Sequence, residues 1–320
     1  MTKRVLLASP RGFCAGVERA VETVERALAL HGAPVYVRKQ IVHNLHVVQE
    51  LEARGAVFVE SEQDAPAGAL LVLSAHGVAP EVHANAARRG QLTIDATCPL
   101  VSKVHAEARA YAGAGFTVVL VGHEGHEEVV GTRGEAPEAT VVVGSAAEAE
   151  GLELPDPQRV AYVTQTTLSV DETAEILAVL RRRFPAIEGP AKDDICYATT
   201  NRQDAVKSML PQIDLLLVVG SANSSNSNRL VDVALGAGVP AHLIEDASAI
   251  DESWLDGVET VGLTSGASAP ERLVTGVLRW FRERGVEQIE RLGAVAEDVE
   301  FRLPAELRRI AGPSAPARVA

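Results

Sequence analysis

Short apolar runs rich in β-branched residues alternate with segments of helical periodicity along most of this chain. The runs are PVYVRKQIV, ALLVLSAH, FTVVLVGH, RVAYVTQTT, LLLVVGSAN and VGLTSGAS. Continuous apolar runs of this kind are typical of strands that are buried on both faces of a parallel sheet, and the segments between them supply the crossover helices. The alternation therefore predicts an α/β fold.

Each of these runs ends in a turn of polar or small residues. In open parallel sheets, ligands bind just beyond the carboxyl ends of the strands. We therefore expect the functional site to be built from these turns. They are His43-Asn44, Ser74-Ala75-His76, Gly122 to His126, Thr164 to Thr167, Ser224 to Asn226 and Ser265 to Ser268.

The three cysteines, Cys14, Cys98 and Cys196, share one context, because each lies where a strand-like run gives way to a helix-like segment. Helix N-terminal N–H groups favour an anion and lower the pKa of a thiol. A single free cysteine is more often a small buried hydrophobe. The odd count and the spacings of 84 and 98 residues argue against a disulfide framework, and the absence of C-x-x-C argues against a zinc ribbon. The shared context predicts three thiolates that meet at one point.

Two polar turns follow each cysteine at similar distances in the sequence, which gives the chain a threefold pattern. The simplest geometry is three α/β domains in a pseudo-threefold ring, with the carboxyl ends of their strands facing a common centre. The expected domains are residues 1–97, 98–193 and 194–284, followed by a C-terminal extension, 285–320, whose Pro/Ala-rich end we expect to be disordered. A split into two domains is the competing interpretation. The turns are His43 and His76 behind Cys14, His126 and Thr166 behind Cys98, and Ser224 and Ser268 behind Cys196.

Three thiolates at one centre restrict the metal group that they can hold. A closed structural zinc site takes four ligands, and a catalytic zinc with three cysteines is uncommon. A cubane iron–sulfur cluster normally has four cysteine ligands, so three would leave one iron without a protein ligand. That iron could bind a substrate oxygen as a Lewis acid while the cluster supplies electrons.

Composition excludes several classes of partner. The net charge of −13 over 320 residues argues against a nucleic-acid partner, which would require a basic face, and the 4% aromatic content argues against base stacking. No apolar run approaches the roughly 18 residues of a membrane span, and the apolar part of the N-terminus is too short for a signal peptide. We expect a cytoplasmic protein without a membrane partner.

The side chains of the polar turns are mostly neutral hydrogen-bond donors. Such a set suits a multiply charged oxyanion, and a small phosphorylated molecule fits best. Taken singly, a serine, threonine or asparagine after a strand is as often only a helix N-cap, and a lone histidine is more often structural. The candidate substrate-binding residues are His43, His76, His126, Thr166, Ser224, Ser225, Asn226 and Ser268.

Glu128 is the candidate proton donor among 43 acidic residues. It lies in HEGHEEVVGTRG, two residues after His126, where a metal cluster and an anionic ligand would disfavour its charged form and raise its pKa. A raised pKa suits a proton donor at neutral pH. From the sequence alone, Glu124 and Glu127 are close rivals for this role.

Several motifs of low background frequency occur in one order, namely RGFCAGVERA, SAHGV, IDATCPLVSKVH, GHEGHEEVVGT, TQTTLS, ICYATTNRQDAV, GSANSSNSNRL and TSGASAPE. In them the chain resembles, over residues 4–284, the 4-hydroxy-3-methylbut-2-enyl diphosphate reductase family, also called LytB. The resemblance implies three α/β domains around a central cluster. It also implies the last step of the non-mevalonate isoprenoid pathway, a reductive dehydroxylation that yields isopentenyl and dimethylallyl diphosphate. A ferredoxin or flavodoxin would supply the electrons.

The resemblance also implies a role for each candidate residue. Cys14, Cys98 and Cys196 would hold one [4Fe–4S] cluster per chain, whose fourth iron meets the substrate hydroxyl. Glu128 would be the proton donor, and Thr166 would lie near that hydroxyl. The diphosphate would be held by His43, His76, Ser224, Ser225, Asn226 and Ser268, with His126 alongside.

Two residues depart from the family pattern, and two other functions stay open. Glu127 stands where the family commonly has proline, and Val130 where a second acid is usual, so repulsion from Glu127 is expected to raise the pKa of Glu128. A redox-neutral [4Fe–4S] hydro-lyase would use the same open iron without an electron donor. A non-enzymatic iron–sulfur sensor would need a partner surface, of which the acidic composition gives no sign.

Overall fold

The computed structural model describes residues 2–293 and 295–308. Strands of four to six residues alternate with helices, and all six apolar runs form strands as predicted. The strands are β1 (Arg4–Ala8), β2 (Val35–Arg38), β3 (Ala56–Val59), β4 (Leu70–Leu73), β5 (Leu92–Asp95), β6 (Thr117–Val121), β7 (Thr140–Val143), β8 (Val160–Thr164), β9 (Leu215–Val219), β10 (Ala241–Ile244), β11 (Thr260–Ser265) and β12 (Gln288–Leu292).

Most helices begin shortly after the carboxyl end of a strand, and in several of them a capping side chain satisfies a free backbone N–H. Ser169, for example, accepts the N–H of Glu172 at the start of α7 (Val170–Arg183). In the part of the chain that the structure describes, no helix has the length and apolar character needed to cross a membrane. The other α-helices are α1 (Ala15–His31), α2 (Leu45–Ala53), α3 (Pro80–Arg88), α4 (Pro99–Gly113), α5 (Glu127–Gly134), α6 (Ala146–Gly151), α8 (Tyr197–Met209), α9 (Ser225–Gly236), α10 (Glu271–Glu283) and α11 (Ala305–Arg308).

The strands form three separate sheets. Their orders are β3-β2-β4-β5 in the first, β7-β6-β8 in the second and β10-β9-β11-β1-β12 in the third. The strand pairs within all three sheets are parallel. The protein is therefore an α/β protein, as the alternation of runs predicted, and it has three α/β units, as the threefold pattern predicted.

The third sheet shows why its strands read as continuous apolar runs. Every residue of β9 is buried. Leu217 and Val219 pack into the core on one face of the sheet, whereas Leu216 and Val218 pack into the core on the other. Helices cover both faces, so each position of the strand gains from burial, at about 1.5–3 kcal/mol for a fully buried Val or Leu.

The first and the last strand of the described residues both lie in the third sheet. β1 lies between β11 and β12, with Val5 opposite both Val261 and Ile289. The first strand of the predicted domain 1–97 therefore belongs to the third sheet, and the extension predicted from residue 285 contributes a strand to it. Burial explains this placement, because Val5 is fully buried and needs neighbours on both sides. The other domain boundaries stay predictions, and the predicted disorder concerns residues 309–320, outside the described residues.

Candidate active site at the carboxyl ends of the three sheets

One cavity brings together every site residue that the sequence pointed to. It measures about 750 Å³ including its open mouth, and turns at the carboxyl ends of strands from all three sheets line it. This common lining is what the threefold spacing predicted. The predicted residues in its wall are Cys14, His43, His76, Cys98, His126, Glu128, Thr166, Cys196, Ser224, Ser225, Asn226 and Ser268.

Each cysteine is the N-cap residue of a helix, Cys14 of α1, Cys98 of α4 and Cys196 of α8. All three are free thiols. A Cβ atom added to Gly16, in the first turn of α1, would lie 2.8 Å from Sγ of Cys98 and 3.8 Å from Sγ of Cys14. A side chain at this position would thus fill the space between two thiols, and glycine leaves that space open.

Burial, not the helix N-termini, dominates the acidity of these thiols. Desolvation raises the pKa of Cys14, raises that of Cys98 to about 12 and raises that of Cys196 to about 11. Repulsion from Cys14 raises the pKa of the other two further, which reflects their proximity. Backbone N–H groups at the helix starts do lower the three pKa values, but by less. The prediction of lowered thiol pKa values was therefore wrong for the protein alone.

The donor set fits a multinuclear cluster better than a single metal ion. All the thiolate ligands of one zinc ion must approach a single point to about 2.3 Å. Over residues 2–293 and 295–308, no group of three or more His, Cys, Asp or Glu side chains is placed to hold one ion. In an iron–sulfur cluster each thiolate binds a different iron, so three sulfurs need only surround a common space. The three thiols around the cavity wall that Gly16 keeps clear meet that requirement.

Glu128 lies in the first turn of α5 and is only 2% exposed. Its Oε1 accepts the backbone N–H of Thr166 at 2.5 Å, and its Oε2 accepts the Thr166 hydroxyl at 3.2 Å. Desolvation raises the pKa of Glu128 to about 7, against the lowering effect of these two hydrogen bonds. At neutral pH the carboxyl is thus divided between its protonated and ionised forms, as a proton donor requires.

The acids around Glu128 act differently from the expectation. The nearby charge that raises the pKa of Glu128 is that of Asp194. Glu127 turns instead to cations, with its carboxylate oxygens 3.4 Å from Nζ of Lys39 and 3.9 Å from Nη1 of Arg38. Because these cations compensate its charge, the expected repulsion from Glu127 does not contribute. Of the three rival acids, only Glu128 lines the cavity.

Three imidazoles form one wall of the cavity. His43 stacks on His76 with ring centroids 3.9 Å apart, and His126 stands edge-on to both at 5.5 and 6.1 Å. Burial lowers the pKa of His43 and of His126 to about 4, and lowers that of His76 well below its usual value. At neutral pH all three are therefore uncharged, and each carries one N–H that it can donate to an anion.

The start of α9 contributes polar groups from the third sheet. The hydroxyl of Ser224 accepts a backbone N–H and caps the helix, and the same residue lines the cavity. Ser224 is therefore both an N-cap and a residue of the candidate site. Oδ1 of Asn226 accepts the N–H of Ala267 at 2.8 Å, and the hydroxyl of Ser268 donates to the carbonyl of His43 at 2.8 Å. These bonds join the turns after β9, β11 and β2 beside a helix N-terminus, an arrangement that favours an anion.

Two further residues that connect the site were not predicted. The hydroxyl of Thr199 lies 3.2 Å from Sγ of Cys196 and accepts Nδ2 of Asn226 at 3.2 Å. Nε2 of Gln165 donates to the hydroxyl of Ser225 at 3.4 Å. A signal for Thr199 was present, because a residue three positions after an N-cap lies beside the capping side chain. Gln165 lies in a predicted polar turn, but its link to the third sheet has no local signal.

Known proteins with similar sequences identify the family. A sequence profile described as LytB protein matches residues 5–282. The chain is 62% identical to the 4-hydroxy-3-methylbut-2-enyl diphosphate reductase of Acidothermus cellulolyticus, over 96% of this chain and 91% of that protein. It is 59% identical to 4-hydroxy-3-methylbut-2-enyl diphosphate reductase 2 of Mycobacterium tuberculosis, over 96% and 92% of the two chains.

Solved structures agree with the sequence comparisons. The E-1-hydroxy-2-methyl-but-2-enyl-4-diphosphate reductase of Plasmodium falciparum superposes with a TM-score of 0.94 at 39% identity, covering 97% of this chain and 98% of that one. A structure of (E)-4-hydroxy-3-methyl-but-2-enyl diphosphate reductase, described as the terminal enzyme of the non-mevalonate pathway, gives a TM-score of 0.61 at 31% identity, covering 88% and 100%. The chain therefore belongs to the LytB protein family.

Proposed function

We propose that this chain is a 4-hydroxy-3-methylbut-2-enyl diphosphate reductase, which forms isopentenyl and dimethylallyl diphosphate by reductive dehydroxylation. One observation carries the proposal, namely the convergence in one cavity of three half-buried thiols and a buried carboxyl, Glu128, with a pKa of about 7. A reductive dehydroxylation needs electrons and protons at one place. The thiols can hold a redox cofactor, and the carboxyl can hold a proton. The LytB relatives bear the name of this activity.

Cys14, Cys98 and Cys196 would hold one [4Fe–4S] cluster. When bound, such a cluster supplies electrons and, at an iron without a protein ligand, a Lewis acid. The raised pKa values keep the thiols protonated in the protein alone, so three protons must leave when the thiolates bind iron. Because Gly16 adds no side chain between the sulfurs, the wall leaves room for the group.

The diphosphate would bind where the imidazole wall meets the start of α9. His43 and His76 offer N–H donors there, beside the N-terminal end of the helix. The Ser268 hydroxyl would exchange its hydrogen bond to the His43 carbonyl for one to the anion. Neutral donors hold an anion through charge-assisted hydrogen bonds, each stronger than a bond between two neutral groups. The buried position of Asn226, at 4% exposure, helps to keep water away from the bound anion.

Glu128 would give its proton to the substrate hydroxyl as the allylic C–O bond breaks. We assign the proton to Oε2, because Oε1 already accepts the backbone N–H of Thr166 at 2.5 Å. Overall the substrate takes up two electrons and two protons. One proton leaves with the hydroxyl as water, and the other forms the new C–H bond of the isopentenyl or dimethylallyl product. Thr166 orients the acid through two hydrogen bonds.

The electrons would come from another protein, and we propose a ferredoxin or flavodoxin. The sequence carries no flavin- or nicotinamide-binding motif that would supply them internally. We place the reaction in the cytoplasm, where free thiols stay reduced.

An anaerobic assay tests the proposed function. Protein reconstituted with iron and sulfide should be brown, and with a reduced donor it should convert 4-hydroxy-3-methylbut-2-enyl diphosphate into both products. Turnover without any electron donor would favour the redox-neutral hydro-lyase. A colourless protein without iron after careful reconstitution would contradict the cofactor assignment, and a loaded protein without turnover would favour a sensor.

A further inference from the structure

The segment 295–308, here called the strap, has no part in the reaction proposed above. It lies beyond residues 5–282, the region that matches the LytB profile. The strap starts near β12 of the third sheet and reaches Leu307, which is 2% exposed in the core around the first sheet. Between these ends, Phe301 lines the same cavity as the three thiols. The strap therefore runs from one α/β unit to another along the candidate active site.

The first contact of the strap is an ion pair with Arg202, which lies in α8 and is fully buried. Nη1 and Nη2 of Arg202 donate to Oε1 and Oε2 of Glu297 at 3.0 and 3.2 Å. The same two nitrogens donate to the carbonyls of Ala198 and Gly12, both at 2.8 Å. Gly12 lies two residues before the cysteine that caps α1, and Ala198 lies two residues after the cysteine that caps α8. One guanidinium thus holds two of the three cysteine turns.

The second contact of the strap leads to the remaining cysteine turn. The carbonyl of Arg302 accepts Nε of Arg19, in α1, at 2.8 Å. Nη1 of Arg19 donates to the carbonyls of Ala96 and Thr97 at 2.9 and 3.0 Å. These two residues directly precede Cys98. The strap therefore reaches all three cysteine turns through two arginines.

The chemistry of arginine makes these contacts directional. A guanidinium presents its N–H groups in a rigid fork, so a carboxylate that binds the fork also fixes the direction of the remaining N–H groups. A fully buried cation is costly without its partner, so Arg202 depends on Glu297 to stay in place. Without this ion pair, Arg202 would no longer hold the carbonyls of Gly12 and Ala198 in place. The sulfurs of the neighbouring cysteines, Cys14 and Cys196, would then lose their fixed positions.

We propose that the strap is a positioning element for the cluster site, which sets the three cysteine turns through Glu297 on Arg202 and through the Arg302 carbonyl on Arg19. The inference rests on the proposed function in taking the three thiols as cluster ligands. The positions of the turns can nevertheless be measured in the full-length chain without iron, where turnover plays no part.

The test compares Glu297→Gln with Arg19→Gln in the full-length chain. In iron-free protein, Glu297→Gln should speed alkylation of Cys14 and Cys196 about tenfold, the scale of one charge-assisted hydrogen bond, and leave Cys98 within about twofold of wild type. Arg19→Gln should show the converse pattern, with Cys98 the most accelerated. In reconstituted protein, both variants should lose iron to a chelator about tenfold faster than wild type, on the same scale. Mass spectrometry of the alkylated peptides gives the three rates separately.

Two controls separate positioning from general loosening. Asp298→Asn removes an exposed carboxylate from the same strap and should match wild type in every rate. Glu297→Asp keeps the charge but shortens the reach, so it should fold even if the glutamine variant does not, and should accelerate the same two cysteines. Unchanged rates in both Glu297 variants, or equal acceleration of all three cysteines, would overturn the proposal. Neither result would change the turnover of the wild-type protein, and that turnover is the separate test of the proposed function.

Discussion

At the scale of single residues, the carboxyl of Glu128 shows two opposed effects of its surroundings. Burial withdraws it from water and raises its pKa to about 7, while Thr166 donates to both of its oxygens and lowers it. The result is an acid that can hold or release a proton near neutral pH, with its direction fixed by the same two hydrogen bonds. Its neighbour Glu127, one residue earlier, pairs with Lys39 and stays outside the cavity lining.

Replacement of this acid by its amide should separate chemistry from binding. Glu128→Gln keeps the size of the side chain and an oxygen for the N–H of Thr166, but has no acidic proton. We expect turnover to fall by roughly 10²–10⁴, the usual contribution of a general acid, with the iron content and the affinity for diphosphates retained. Glu127→Gln, on the same helix, is the matched control and should keep most of its turnover. Wild-type rates in Glu128→Gln would move the proton donor elsewhere.

The pKa of Glu128 also predicts a pH profile. Because its pKa is raised from 4.5 to about 7, the carboxyl is protonated below pH 7 and loses its proton as the pH rises through that value. The rate of the chemical step should therefore be level on the acid side and fall above about pH 7, approaching a tenfold loss per pH unit. Single-turnover rates from pH 6 to 9 would show this. A flat profile over that range would contradict a role for this proton.

The residues of the cavity could be predicted from the sequence better than their properties could. The polar turns and the ordered motifs marked twelve of the residues that line the cavity, because the turns after parallel strands meet at one edge. The sign of the thiol pKa shift was wrong, since burial of Cys98 depends on packing from distant parts of the chain. Links such as Arg202 to Glu297 join positions 95 residues apart and leave no local pattern.

At the scale of elements, the packing of α9 against the third sheet depends on two glycines. A Cβ added to Gly266 would lie 2.0 Å from Oγ of Ser227, and one added to Gly220 would lie 2.2 Å from the same atom. Ser227 is in the first turn of α9 and is fully buried. The absence of side chains at these two turns lets the helix N-terminus approach the strand ends, which places its first residues in the cavity wall.

Substitution of one of these glycines should displace the helix start. We expect Gly266→Ala to lower the free energy of unfolding by about 1–3 kcal/mol through overpacking, and to weaken binding of inorganic pyrophosphate. Gly276→Ala is the control, because its added Cβ meets nothing within 4 Å and it lies inside α10, where alanine should stabilise by about 0.5–1 kcal/mol. Denaturant unfolding and calorimetry measure both quantities. Wild-type affinity in Gly266→Ala would show that the helix start does not contact the anion.

Helices and strands could be predicted from the sequence where the pattern that indicates them is local. The six apolar runs became strands, because a strand that is covered on both faces needs apolar residues throughout. The position of β1 in the third sheet could not be predicted, since its partners β11 and β12 lie more than 250 residues further along the chain. Strand order depends on such distant pairing, and the residues of β1 alone do not encode it.

At the scale of the whole molecule, the cavity is the place where the three α/β units meet. The hydroxyl of Ser268 in the third unit donates to the carbonyl of His43 in the first. Gln165 in the second unit donates to Ser225 in the third. Since each unit supplies polar groups to the same space, a bound diphosphate would contact all three at once. Ligand binding should therefore stabilise the molecule as a whole and not one unit alone.

Asn226→Asp tests this coupling because it separates binding from folding. An aspartate keeps the oxygen that accepts the N–H of Ala267, and a negative charge in the first turn of a helix is favourable, but the buried side chain loses its donor to the Thr199 hydroxyl. The unliganded protein should therefore lose about 1–3 kcal/mol of stability. The same charge should repel a diphosphate. Pyrophosphate at 100 times its Kd should raise the free energy of unfolding of wild type by about 2.7 kcal/mol, and that of the variant by much less.

Gln158→Glu is the control for this substitution, because it adds an equal charge on an exposed turn that does not line the cavity. Its ligand-induced stabilisation should equal that of wild type when unfolding is followed by scanning calorimetry. A full pyrophosphate effect in Asn226→Asp would place the anion away from α9. A loss of stability well beyond about 3 kcal/mol in the unliganded variant would instead make Asn226 chiefly a structural residue, since the aspartate loses one hydrogen bond and retains its contact with the backbone of Ala267.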